Sequence, residues 1–345
     1  MTMNMTFLWK AEFSQRYSNF PDIYEDVGQV LLADSEHNIK SYVSHDLETG
    51  EVLWEKSCIH EDLSSHGLLL NRFFLFDGRP WDSDDDLWGD LLVMDLNGKC
   101  TTYEEVRFGF SDHLDGRLTD CTLNIYDPDD MSAPVAKPTL LDQIKECTEI
   151  QELYAGAKKI SAYLNQVHSD RYLIRLYANE THHLVSVKRQ EELEIEYILK
   201  GEEKRLIKPK EYLIISDENE ASLVHDITTG ELLFSLDGYV WVQELEDGLV
   251  MHDTQSKKFY RWEKETGLQG MELEDTLEDP WYHLTENYIL ETSGGYRKKL
   301  KLAVRDFSGK LIHYEEFSRG HELYSCSPNH LALYKAGEIH FYSMS

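Results

Sequence analysis

An all-β fold of repeated four-stranded sheets is what this sequence predicts, and three observations carry the prediction. The stretch Asp46-Leu47-Glu48-Thr49-Gly50-Glu51-Val52-Leu53-Trp54 returns nearly intact as Asp226-Ile227-Thr228-Thr229-Gly230-Glu231-Leu232-Leu233-Phe234. Weaker echoes stand at Asp95-Leu96-Asn97-Gly98-Lys99, Lys264-Glu265-Thr266-Gly267 and Asp306-Phe307-Ser308-Gly309-Lys310. Around each echo, apolar and polar residues alternate as half-buried strands require. Each copy reads as strand, tight turn, strand: the Asp or Thr side chain bonds back to the turn backbone, and Gly takes the positive φ that other residues resist. A hairpin recurring at roughly forty residues is the signature of a β-propeller, in which every four-stranded blade repeats it.

The chain keeps to that plan in order. Met5–Phe13 alternates weakly and precedes the first blade, whose strands centre on Tyr24, Leu31, Tyr42 and Leu53. The second blade takes Gly67–Leu70, Phe73–Phe76, Leu91–Asp95 and Thr101–Val106, with a long acidic loop, Asp77–Asp90, between its middle strands. The third unit is irregular. Phe108–Phe110 and Leu118–Tyr126 read as strands, but Pro128, Pro134 and Pro138 break the pattern after Tyr126. A helix is then expected from Leu140 to about Lys158, capped by Thr139, with Leu140, Leu141, Ile144, Cys147, Ile150, Leu153 and Tyr154 on one face.

Regular blades resume at Ile160–Val167, Tyr172–Tyr177, Leu184–Val187 and Leu193–Leu199. The fifth opens on a weak strand near Leu206, then takes Tyr212–Ser216, Leu223–Ile227 and Leu232–Leu236. The sixth takes Val240–Leu245, Leu249–His252, Phe259–Trp262 and Leu268–Leu273; the seventh takes Trp281–Leu284, Tyr288–Thr292, Leu300–Phe307 and Leu311–Phe317. The last stretch supplies only Leu323–Cys326, His330–Tyr334 and Ile339–Tyr342. An open last blade would leave templating edges, so Met5–Phe13 is the natural fourth strand that fastens the two ends together. Eight blades in a single domain spanning 1–345 are expected. Seven is the alternative if the third unit, with its irregular 128–158 segment, is only an insertion.

The Asp-x-x-Thr-Gly-Glu-x-Leu-Trp pattern of Asp46–Trp54, closed by Phe234 in its second copy, resembles the repeat of the PQQ-like (quinoprotein-type) β-propellers. That resemblance implies a fold in which the aromatic end of the motif helps lock neighbouring blades. It implies no activity, since the group spans quinone-dependent dehydrogenases, assembly scaffolds and sensor domains. Its enzymes are exported, calcium-loaded and carry adjacent cysteines. Here no export signal is read in Met1–Tyr17, and the five cysteines (Cys58, Cys100, Cys121, Cys147, Cys326) are scattered. Scattered thiols in odd number suit a reducing cytoplasm, and no cofactor is expected.

Charge narrows the partner. Sixty-four acidic residues against 34 basic give −30, a field that repels phosphate backbones and anionic lipid surfaces. Nucleic acid and membrane are therefore excluded as expected partners. A basic protein is favoured, although acidity alone also keeps a monomer soluble. The densest cluster is Asp82, Asp84, Asp85 and Asp86, flanked by Trp81 and Trp88. Its alternate carboxylates open like a calcium loop, but Leu87 and Val93 stand where that loop needs Gly and a bidentate Glu. A solvated loop or a docking patch remains, because Trp beside charge is typical of interface hot spots. Blade topology puts this loop on the face of the blade-to-blade connections. Glu61, Asp62, Asp217, Glu218, Asp275, Glu278 and Asp279 are expected on the same face. Trp241, Trp262 and Trp281 lie on strands and read as inter-blade packing. His182-His183 and His321-Glu322 read as ordinary strand histidines rather than metal ligands.

The expectation is thus a non-enzymatic, cytoplasmic binding propeller whose acidic face takes a basic protein. An immunity or inhibitor protein neutralising a cationic toxin is the attractive case. The alternative is a propeller enzyme, a hydrolase or lyase acting on a sugar or peptide with calcium.

Overall fold

The computed structural model describes residues 3–12, 21–35, 39–57, 62–78, 88–107, 110–113, 117–120, 125–126, 140–155, 161–168, 171–178, 181–189, 193–200, 202–203, 211–216, 221–238, 240–295 and 297–345. Among them lie seven four-stranded antiparallel sheets and one of three strands, so the chain is nearly all-β and resembles a β-propeller. In chain order, the first sheet is Asp22–Tyr24, Gln29–Ser35, Ile39–Asp46 and Val52–Ser57. The second is Asp62–Leu69, Arg72–Gly78, Trp88–Asp95 and Cys100–Arg107. The third, three-stranded, is Phe110–His113, Arg117–Asp120 and Ile125–Tyr126. The fourth is Ser161–His168, Arg171–Ala178, Thr181–Arg189 and Leu193–Lys200.

The fifth sheet includes Glu202–Glu203, paired with Ser216 and Ile215, followed by Tyr212–Ser216, Ser222–Asp226 and Leu232–Leu236; Leu206, where its first strand was expected, lies outside the described residues. The sixth is Val240–Glu244, Gly248–Asp253, Lys258–Glu263 and Gly267–Met271, and the seventh is Trp281–Leu284, Ile289–Ser293, Lys299–Arg305 and Leu311–Arg319. In the eighth, His321–Cys326, His330–Lys335 and Glu338–Met344 are completed by Met5–Glu12 from the other end of the chain. Met5 stands opposite Met344 and Glu12 opposite Glu338, with one register shift between Phe7 and Trp9.

Sheet stacks on sheet. Leu31, Tyr42 and Trp54 of the first pack with Phe73, Leu75, Leu92 and Met94 of the second. Leu173 and Leu184 meet Leu213, Ile215 and Ile227 between the fourth and fifth. Tyr212, Ile214 and Val224 meet Val242, Leu249, Met251 and Trp262 between the fifth and sixth. Val250 and Phe259 meet Ile289, Tyr282 and Leu284 next. Leu290, Leu302 and Val304 then meet Leu331 and Leu333. Trp9, Ala332 and Phe341 of the eighth sheet close back on Val30, Leu32 and Leu47 of the first. The three-stranded sheet touches both the second and the fourth through Phe110–His113. A middle strand sandwiched between two sheets is covered on both faces, which is why Gly248–Asp253 is buried at every position.

The repeated turn does what its sequence asks. Asp46 Oδ1 accepts hydrogen bonds from the Glu48 and Thr49 amides and the Thr49 hydroxyl; Asp226 Oδ1 does the same for Thr228 and Thr229. Gly50 and Gly230 take φ of +72° and +69°. Each glycine also seats an aromatic from the preceding sheet's outer strand. A Cβ at Gly50 would stand 2.5 Å from the Trp9 ring, at Gly98 2.5 Å from Trp54, and at Gly230 2.6 Å from the Tyr197 ring. Trp9 Nε1 donates to the Leu47 carbonyl at 2.8 Å, and the Tyr197 hydroxyl to the equivalent Ile227 carbonyl at 2.6 Å.

The helix expected over 140–158 is two short ones, Leu140–Glu146 and Thr148–Leu153, broken at an extended Cys147. Thr139, its expected cap, lies outside the described residues. The break has a packing reason. Ile144 and Ile150 are six apart and would point about 120° away from each other on one straight helix. Turning at Cys147 lets both, with Tyr154, bury against Tyr172, Ile174, Val185 and Val187 of the fourth sheet. Leu173 and Leu184 leave that sheet on its other face, so the helices cover the side turned away from the fifth sheet.

Candidate functional site

Of the acidic face expected from the sequence, Glu61, Trp81, Asp82, Asp84, Asp85, Asp86, Asp217 and Glu218 lie outside the described residues. Asp62 and Trp88 begin the first and third strands of the second sheet, on either side of Arg72–Gly78, and the pairing of Gly78 with Asp62 and Gly89 puts both at one end of it. Asp275, Glu278 and Asp279 are described, exposed, and carried on the connection from the sixth sheet to the seventh.

That connection is held by a buried ion pair that the sequence did not announce. Arg305 and Glu291 have side chains with 0% exposure and pair at 2.6 Å. The guanidinium also donates to the Glu274 carbonyl and, at 3.1 Å, to the Asp275 carbonyl, while the other Glu291 oxygen takes the Leu277 amide at 2.5 Å. A buried charge pair is tolerable when its remaining hydrogen-bonding capacity is filled, as it is here. The pair therefore staples residues 274–277 across the seventh sheet. Asp275 is drawn toward the Asp306–Lys310 turn, where the Glu274 amide reaches Gly309. Farther along, the Ser293 hydroxyl donates to the Glu278 carbonyl at 2.6 Å, and Lys257 pairs with Asp279 at 3.2 Å. The connection thus delivers Glu278 and Asp279 to the end of the sheet bearing the Ser293 and Lys257 loops, and Asp275 toward the other. No single carboxylate cluster unites the three.

What the structure adds is aromatic. Trp262 packs as expected, 7% exposed and stacked on Phe234 at 5.5 Å. Trp281 and Trp241 do not: they are 76% and 51% exposed. They occupy equivalent places. Trp241 pairs with His252 and Trp281 with Thr292, each partner one residue short of its strand's end. The expectation failed because a strand aromatic packs between sheets only where a neighbour covers it, and these stand at the start of first strands. Their place directly after a sheet-to-sheet connection (Pro280 precedes Trp281) was the available signal.

Opposite Trp241 on the next strand, His252 is stacked on Phe259 at 4.5 Å and edged by Tyr282 at 4.9 Å. Burial pushes its pKa down to about 4, so it is neutral near pH 7. Beside it, burial works against the Asp253 carboxyl, but hydrogen bonds from Ser256 and the Gln255 and Ser256 amides hold its pKa below the usual value. The Ser293 end of the seventh sheet thus carries the exposed Trp281 with Glu278 and Asp279 a few residues before it, and also exposed Arg297, Lys298, Lys299 and Arg319.

Among the described residues no group of three or more His, Cys, Asp or Glu could hold a metal ion. His183 is a core histidine, buried and bonded to the Tyr154 hydroxyl at 2.9 Å, and His321 begins a strand with its ring on Ser318. No helix among the described residues is long and apolar enough to cross a membrane.

No protein-family model matches the chain, and no curated protein does. Solved structures do. A computationally designed protein, Ika8, is 12% identical, covers 99% of this chain and all of its own, with a TM-score of 0.49. The β-propeller domain of Myceliophteria thermophila Cps50 (Swd1) is 12% identical over 97% of this chain and 99% of its own, TM-score 0.48. BamB from Moraxella catarrhalis is 12% identical over 93% and 83%, TM-score 0.38. Each is a likeness of chain path and transfers no activity to this protein.

Proposed function

We propose that the chain is one eight-bladed β-propeller of PQQ-like repeat type, closed by its own N-terminal strand, which binds a basic protein without catalysing a reaction. Eight consecutive sheets, the last packed on the first, support the blade number. The aromatic seated on Gly50, Gly98 and Gly230 supports the repeat type. The observation that carries the binding reading is the net charge of −30, with an exposed Trp281 that follows Glu278 and Asp279 by three and two residues. Such a field steers a cationic partner and speeds its association, while an exposed indole supplies contact area at small conformational cost. Within this reading a cytoplasmic immunity or inhibitor role, neutralising a basic toxin, fits best. The free thiols Cys100, Cys147 and Cys326 suit a reducing compartment.

The experiment is capture from the native cells at low and moderate salt, with Glu278→Lys/Asp279→Lys as the comparison chain. One or a few basic proteins retained by the wild type, released by salt and lost in the charge-reversed chain, support the reading. Absence of any basic partner, or retention indifferent to both salt and charge reversal, contradicts it.

A further inference from the structure

One hairpin of the rim around Ser293 runs against the charge of the chain. Between Glu291 and Asp306 the sequence holds five basic residues, Arg297, Lys298, Lys299, Lys301 and Arg305, and no acidic one. Arg305 is spent inside, on Glu291. The other four are exposed, and the exposed Arg319 stands opposite Lys299 on the next strand. We propose that this hairpin docks an acidic segment of a protein partner through its carboxylates, a surface that goes beyond the basic-partner reading and needs no part of it.

The backbone that carries these charges is fixed. Gly294 and Gly295 take φ of +101° and +125°, and a Cβ at Gly294 would run into the Lys299 carbonyl. The Lys298 amide closes the turn on the Gly295 carbonyl at 3.0 Å. Arg319 Nε donates to the Arg297 carbonyl at 2.6 Å, which lays a second guanidinium against the turn. A fixed backbone lowers the ordering cost a ligand must meet. The neighbouring carboxylates do not cancel the patch. Glu316 is paired with Lys299 at 3.3 Å, Glu322 lies beside Gly295, and Asp279 is taken by Lys257. Lys335 of the eighth sheet adds a further base, donating to the Ser318 hydroxyl next to Arg319 at 3.0 Å. Among the described residues no carboxylate pairs with Arg297, Lys298 or Arg319.

An acidic protein segment fits this patch better than a nucleic acid. Arg297 can take a carboxylate through paired N–H groups, and a short segment brings only the few charges the hairpin can meet. Screening confines their interaction with the rest of the chain to about 8 Å at physiological ionic strength. A nucleic-acid duplex carries a charge for every ~1.7 Å of its length and would lay most of them over a chain of net charge −30.

The test uses the full chain and a labelled oligo-glutamate peptide, with its glutamine counterpart as the neutral isostere, by fluorescence anisotropy at low and moderate salt. The wild type is expected to bind the glutamate peptide at low salt, to lose it as salt rises, and to ignore the glutamine one. Arg297→Glu/Lys298→Glu should weaken binding about tenfold, the size expected when two exposed charge contacts are replaced by repulsion. Lys99→Glu/Lys310→Glu makes the same change of net charge on two exposed turn residues, with Lys310 at the opposite end of the seventh sheet, and should bind like wild type. Circular dichroism confirms that both variants fold. No binding of the glutamate peptide by the wild type, wild-type binding by Arg297→Glu/Lys298→Glu, or equal loss in both variants overturns the docking site. Binding of inorganic polyphosphate in preference to the glutamate peptide overturns the choice of an acidic protein segment. Capture of a basic protein is read separately, with the Glu278→Lys/Asp279→Lys chain, so either reading can fall alone.

Discussion

Replacing Trp9 with alanine probes the joint between the two ends of the chain. Trp9 lies on the strand that completes the eighth sheet, 9% exposed, stacked on Phe341 at 4.1 Å and on His45 at 5.2 Å. Its ring fills the seat above Gly50, and its indole N–H is bonded to the Leu47 carbonyl at 2.8 Å. Truncating a buried Trp costs about 3–5 kcal/mol when the site cannot collapse. Transfer of roughly 200 Å² of aromatic surface at ~25 cal/mol per Å² gives a similar upper figure. The Leu47 carbonyl loses its partner, worth about 1 kcal/mol net. A loss of about 4 kcal/mol is therefore expected in chemical denaturation monitored by circular dichroism. Phe7, two residues earlier on the same strand, is 50% exposed, and Phe7→Ala should cost no more than ~1 kcal/mol. If Trp9→Ala costs under ~1 kcal/mol, or the two variants cost the same, the aromatic does not lock first sheet to last.

The same geometry fixes further outcomes. Gly98→Ala should destabilise well beyond Gly28→Ala in the same denaturation assay. Both glycines have positive φ, but a Cβ at Gly98 meets Trp54 at 2.5 Å whereas one at Gly28 meets nothing within 4 Å; the strained φ alone is worth about 1 kcal/mol. Arg305→Met should cost about 3–5 kcal/mol by leaving Glu291 buried and unpaired, and Arg305→Met/Glu291→Leu should recover much of it; limited proteolysis at 274–277 should report the same order. Glu25 gives a pH dependence. Burial pushes its carboxyl up, but bonds from the Ser327 hydroxyl, His330 and the Asn329 amide more than offset this and hold its pKa below the ordinary 4.5. A depressed folded pKa means stability present above the unfolded value and lost as pH falls through the folded one. The advantage of wild type over Glu25→Gln should therefore be full at pH 6–7 and shrink below about pH 4.3, as measured by denaturation at each pH. A gap that widens on acidification would contradict the linkage.

The local parts of this structure were legible in the sequence, and of the non-local parts only the closing strand was. Asp46, Thr49 and Gly50 build their turn from one another, so the pattern could be read without a fold. The N-terminal strand was legible by elimination, because the last sheet lacked a partner and an open edge is a hazard. The seat of Trp9 on Gly50 was not, since nothing in either residue names the other across 41 positions of chain. The helix break at Cys147 came from the sheet beneath it, which needed Ile144 and Ile150 on one side. The pairing of Glu291 with Arg305 was not legible, because only packing encloses both. Within the rim, charge was visible in the sequence and exposure was not: Trp262 and Trp281 look alike on a strand, and only the stacking of neighbours separates them.

The pairing of the chain's first strand with its last is the point on which the proposed closed ring depends, and a cysteine cross-link tests it most directly. Thr6 and Ser343 stand directly opposite each other, and opposed residues in an antiparallel pair have Cα atoms about 4.5–5.5 Å apart, within reach of a disulfide. In a chain whose native cysteines are replaced by serine, Thr6→Cys/Ser343→Cys should oxidise within one molecule and raise resistance to denaturation, while the one-residue-slipped pair Thr6→Cys/Tyr342→Cys should not. Failure of the opposed pair to close, or closure only between two chains, would contradict a ring fastened by its own N-terminus.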